Sequence, residues 1–160
     1  MRNDKFIIEN QKIIYEPDPK VKKHETLYFK PFVLDISKIK IIAISPRLYL
    51  GDEMLFVLFV EANLSIHVAP LLPSMNELLN SFELNKFVDE WEKFSYADHY
   101  TVYDKIVYPK SLYWEDLYEK NFKLKIRRLL GIFETKLFWG DFRQEVIDSI
   151  RNDSGSKVQL

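Results

Sequence analysis

The chain has 160 residues, 47% apolar and 29% charged, with a formal net charge of −1 and no cysteine. A chain of that length and composition can close one globular core without a metal or a cross-link. The missing thiols exclude disulfide frameworks, cysteine nucleophiles and Cys-ligated zinc. Residues 1–12 contain no continuous apolar stretch of the signal-peptide kind. The longest apolar run, residues 54–60, is far short of the roughly 20 residues needed to span a bilayer. These features lead to the expectation of a cytoplasmic protein with no membrane contact, organised as one α+β domain over residues 1–151 with a flexible polar tail at 152–160.

The first half reads as β. Short apolar runs at residues 6–8 and 12–15 flank Glu9-Asn10-Gln11 and predict a hairpin. Pro17 and Pro19 then break the pattern. Residues 26–29 and 32–34 are candidate edge pieces. Residues 38–45 predict a strand that stops at Pro46. Residues 53–61 are apolar on both alternating sets, which predicts a strand covered on both faces. Residues 64–69 alternate, and Ala62-Asn63 predicts a two-residue turn before them.

The second half reads mainly as α. Ser74 with Glu77 has the spacing of a capping box and predicts a short helix to about Phe82. Phe87, Val88, Trp91 and Phe94 predict a second helix over residues 84–94. Phe122, Ile126, Leu129, Leu130, Phe133 and Leu137 form a stripe that predicts a long helix starting near Leu112 or Glu115. Gly140 fits a helix end, and Asp141 with Gln144 predicts the N-cap of a last helix carrying Phe142, Val146, Ile147 and Ile150. Residues 101–108 could add a short strand. Strands first and helices later, with no βαβ rhythm, predict an α+β fold whose mainly antiparallel sheet packs against the C-terminal helices.

Chemistry-bearing motifs are sparse. The three histidines, His24, His67 and His99, have no second histidine within a helical turn, so zinc-hydrolase spacing is absent. The four glycines are too scattered to form a phosphate-binding loop or a nucleophile elbow. Neither spacing nor composition calls for a metal or a cofactor. His99 beside Asp98 is the one candidate general base, and a hydrolase using that pair is the weakest of the functional readings. His67 reads as a satisfied sheet histidine.

Charge is unevenly placed along the chain. Residues 1–47 hold ten Lys/Arg and six Asp/Glu, a net of +4; residues 48–119 hold four and thirteen, a net of −9; residues 120–160 hold nine and five, a net of +4. Six of the nine tyrosines fall between Tyr96 and Tyr118. Carboxylates mixed with aromatic rings suit a surface that steers and anchors a basic protein. The preferred reading is therefore a non-enzymatic protein-interaction module, in its concrete form an immunity-type protein that neutralises a cationic toxin. Asp98, Tyr100, Tyr103, Asp104, Trp114, Glu115 and Glu119 are the candidate partner-binding residues, with Trp114 as the exposed anchor. The alternative is a small-ligand binder with an aromatic pocket between sheet and helices. Lys120, Lys123, Lys125, Arg127 and Arg128 read as a solvated helix face, and a pI near 6.3 argues against nucleic acid. Oligomeric state is not legible at this level.

Overall fold

The computed structural model describes residues 3–21, 29–49, 52–84, 104–119 and 141–153. The architecture is α+β: two antiparallel sheets and a C-terminal helix. The strands are β1 (Lys5–Glu9), β2 (Lys12–Glu16), β3 (Phe32–Asp35), β4 (Ile39–Tyr49), β5 (Asp52–Glu61), β6 (Ile66–Pro70) and β7 (Lys105–Tyr108). The helices are α1 (Asn76–Ser81) and α2 (Gln144–Asp153). Strands β1-β2-β3 form one sheet and β6-β5-β4-β7 the other. The expected single sheet is thus split in two, and the smaller sheet covers one face of the larger.

The first hairpin forms where the sequence places it. Glu9 pairs with Lys12, and the two residues between them, Asn10 and Gln11, have φ of 50° and 61°. Two positive φ values in a two-residue loop give the backbone twist that matches the strands. Phe6, Ile8, Ile13, Tyr15, Phe32 and Leu34 turn inward from this sheet onto the shared core.

β5 is covered on both faces, as its double apolar alternation requires. Leu55, Val57 and Phe59 belong to the core beneath the small sheet. Phe56, Leu58 and Val60 belong to the core beneath α2. On β4 the register shifts between Ile39 and Ile41, an extra-residue irregularity that resets the alternation. It lets Ile39 share a face with Ile42 and Ile44, while Ile41 and Ala43 face the other way. Each such fully buried aliphatic or aromatic side chain contributes about 1.5–3 kcal/mol.

β4 does not stop at Pro46. It continues to Tyr49, with Pro46 opposite Leu55. Among the described residues, pairing with β7 ends at Ile44 and only β5 lies beside this stretch of β4, the sheet-edge setting in which proline is tolerated. The β5–β6 connection is also longer than the expected two residues. Leu64 N–H donates to the Glu61 carbonyl at 2.9 Å and Glu61 N–H to the Ser65 carbonyl at 3.0 Å. With Leu64 at φ 66°, this is a three-residue loop that closes on a left-handed residue.

Ser74 does not cap a helix. Pro73 has already started a 3-10 turn, Pro73–Met75, and α1 follows it with no side-chain cap. The helix stops cleanly at the other end. Leu84 N–H donates to Leu79 O and Glu83 N–H to Asn80 O, and Glu83 sits at φ 60°. That bond pair around a left-handed residue is a Schellman termination. Leu79 and Leu84 meet in the core beside it.

The expected helix from Leu112 or Glu115 is absent over residues 113–119, which form bridges to β7 and to Phe142 instead. Its remaining span lies outside the described residues, as does the expected helix over 84–94 apart from Leu84, which is not helical. The last helix begins at Gln144, and Asp141 lies outside it with its carbonyl accepting from Glu119 N–H at 2.8 Å. Val146 and Ile150 bury against the larger sheet. Among the described residues no helix is long and apolar enough to cross a membrane.

Candidate functional site

The carboxyl-terminal end of the acidic segment is an arm, residues 113–119, laid along β7. Trp114 N–H donates to Ile106 O at 2.7 Å, Ile106 N–H to Glu115 O at 2.9 Å and Leu117 N–H to Asp104 O at 3.0 Å. The arm is tied on its other side too: Arg143 N–H reaches Leu117 O at 3.3 Å, and Tyr118 bridges Phe142. A segment bonded on both sides presents its outward side chains in a fixed geometry, which lowers the ordering cost of binding.

The arm separates its side chains by environment. Leu117 and Tyr118 are core residues, and Asp116 is buried. The Lys105 ammonium lies 2.7 Å from the Asp116 carboxylate, which offsets part of the cost of burying that charge. Outward are Tyr113, 49% exposed, and the carboxylates of Glu115 and Glu119. Trp114 sits at φ 68°. Its ring is partly buried against the core, with its centroid 6.0 Å from that of Tyr113. The sequence nominates Trp114 as the exposed ring; the structure puts its neighbour outside. Adjacent residues in an irregular segment share no fixed period, so no pattern in the sequence separates the two.

Asp104 is interior, at 2% exposure, and the enclosed Ser45 hydroxyl donates to its carboxylate at 2.6 Å. A group so placed joins β4 to the start of β7 and offers nothing to a partner at the surface. Glu115 accepts from the Arg143 guanidinium at 2.8 Å. That hydrogen bond holds the guanidinium above its ordinary value. Glu83 pairs with Lys110, and the hydrogen bond and charge of that ammonium hold the Glu83 carboxyl below its ordinary value. Arg143, from outside residues 48–119, partly offsets that segment's negative excess in space, whereas Lys105 and Lys110 are already counted in its net charge. Asp98, Tyr100 and Tyr103 lie outside the described residues, as do His99 and the basic run at 120–128.

Among the described residues, the one histidine and the Ser45 hydroxyl are already engaged. His67 Nε2 is 2.8 Å from Glu61 Oε2, and its ring packs 5.1 Å from Phe32. This pair seals the seam between the two sheets, as expected of a satisfied sheet histidine. Ser45 is wholly enclosed, so its hydroxyl cannot meet a substrate. Among the described residues no three His, Asp or Glu side chains are grouped to hold a metal ion. No family model matches the chain, and no curated protein or solved structure matches it significantly. What supports a functional reading is therefore the surface itself.

Proposed function

We propose that this protein is an interaction module that binds a basic protein through the arm at residues 113–119, with Tyr113 as anchor and Glu115 and Glu119 as steering charges. The observation that carries this reading is the half-exposed Tyr113 ring on a segment tied to the fold on both sides. Rigid aromatic side chains beside charged rims are the usual source of binding energy and of partner selection at interfaces. The Arg143 partner of Glu115 is one a competing arginine or lysine could replace, since exposed ion pairs are worth only about 0–1 kcal/mol. An immunity-type role, in which the arm occludes a cationic toxin, is the concrete form of this reading. Asp104 has no part in it.

The test is parallel affinity capture from the native host with two baits, wild type and the Tyr113→Ala/Glu119→Lys variant, followed by mass spectrometry. Both substitutions are at solvent-facing positions, so the variant keeps its fold. The expected result is one or more basic proteins held by the wild type and lost from the variant, with retention falling as salt is raised. Equal recovery by both baits, or captured proteins that are uniformly acidic, would overturn the reading.

A further inference from the structure

The outer face of the small sheet carries a second, independent inference. Strand register fixes which residues share that face. Ile7 pairs with Ile14 and Ile14 with Val33, forming one apolar row across all three strands. Val33 is 63% exposed and Ile7 43%, the largest exposed aliphatic side chains among the described residues. On one side of this row Lys5 pairs with Glu16; on the other lie Glu9, Lys12 and Asp35. Asp35 is occupied by Lys38 at 3.2 Å.

That pattern is self-complementary in one orientation. Let a second copy stack on this face with the two-fold axis running along the Ile7–Ile14–Val33 row. The axis places β1 over β1, β2 over β2 and β3 over β3, with strand directions reversed. Each apolar residue then meets its own copy. Lys5 falls over Glu9 of the second copy and Glu16 over Lys12, and each juxtaposition occurs twice. Turning the axis to run along the strands instead puts Glu16 over Glu16 and Lys12 over Lys12, which like-charge repulsion disfavours. Sheets stack about 10 Å apart, a gap the aliphatic row fills and the longer charged side chains reach across.

We propose that this face is the interface of a weak two-fold homodimer, with the apolar row on the axis. The three strands are only four or five residues long, so the face falls short of the roughly 800 Å² per partner of a standard interface. The association is accordingly concentration-dependent. It does not rest on the role proposed for Tyr113, since a monomeric protein could still use the arm.

Sedimentation equilibrium from about 10 µM to about 1 mM, a span suited to interfaces below standard size, reads it out. The wild-type mass should climb from 19.2 kDa toward twice that value, while Val33→Lys should stay at the monomer mass with an unchanged circular dichroism spectrum. A wild type that stays monomeric throughout would overturn the proposal and leave the face to some other molecule. Undiminished dimerisation of Val33→Lys would overturn it as well. A milder variant fixes the geometry. Because the chain has no cysteine, Val33→Cys creates a single thiol close to the axis. A bis-maleimide of about 10 Å span, matched to the sheet spacing, should link it to its copy, whereas Asp148→Cys on α2 should not be linked. Equal cross-linking of the two variants would contradict the assignment.

Discussion

Phe59→Ala is expected to remove about 3–5 kcal/mol of folding stability, the range for deleting a buried aromatic ring. Phe59 is fully buried on β5 at the seam of the two sheets. Its ring is 6.2 Å from Phe6 of β1 and 6.3 Å from Phe32 of β3. The lost ring therefore leaves a void bounded by both sheets, and neither can close it without sliding on the other. Domains of this kind have about 5–15 kcal/mol in total, so the variant should unfold at a much lower urea concentration with the slope little changed. By comparison Val33→Ala, on the solvent side of the small sheet, should cost within about 0.5 kcal/mol, as surface substitutions do. A Phe59→Ala midpoint close to wild type would mean that the small sheet does not pack on β5 as described.

Lys105→Met is expected to cost about 2–4 kcal/mol, somewhat less than the full penalty for breaking a buried ion pair because both side chains retain some exposure. The Lys105 and Asp116 side chains are 20% and 11% exposed and their charged atoms are 2.7 Å apart. Removing the ammonium takes that close counter-charge away from a largely buried carboxylate. Replacing both, as Lys105→Met with Asp116→Leu, should recover much of the loss, since well-packed apolar pairs substitute for buried ion pairs at little cost. Urea denaturation of the single and double variants measures this directly. A single variant within 0.5 kcal/mol of wild type, the range of ordinary surface changes, would show that the pair does not hold the arm to β7. Asp116 is also the position where charge reversal fails as a surface probe. Its substitution reports on folding, whereas Glu119 and Tyr113 report on the surface.

Local signals in the sequence carried the architecture well. The Asn10-Gln11 hairpin, the doubly apolar β5 and the amphipathic α2 each follow from residues within a few positions of one another. What failed had both local and distant causes. Ser74 and Glu77 have capping spacing, but Pro73 fixes the backbone one residue earlier and starts a 3-10 turn there. Pro46 looks like a strand end, yet among the described residues β5 alone lies beside that stretch of β4, and such a setting tolerates proline. Residues 113–119 precede an apolar stripe of helical period, but their bonds go to β7 and to Phe142, partners that sequence distance hides.

The candidate surface was legible only in outline. The excess of acid and aromatic residues is a property of composition, but which of them meet solvent depends on pairings between distant segments. Asp104 is taken inside by Ser45, 59 residues away. Asp116 is taken inside by Lys105, and Glu115 is met by Arg143 from the basic end of the chain. The outer row Ile7–Ile14–Val33 is not legible in the sequence because it exists only once β3 joins the hairpin. Until then Val33 reads as one apolar residue in a short run.

The central claim is that the arm is a preformed part of the sheet edge and presents Tyr113 from a fixed backbone. Native-state amide hydrogen exchange tests it most directly. The amides of Ile106, Trp114 and Leu117, which donate to Glu115, Ile106 and Asp104, should be protected to a degree approaching that of β4 and β5, because bonded amides in a packed edge open only with a sizeable part of the fold. If Trp114 and Leu117 instead exchange at the rate of an unstructured chain while β4 and β5 stay protected, the arm is not built into the sheet, and the surface proposed on it does not exist as described.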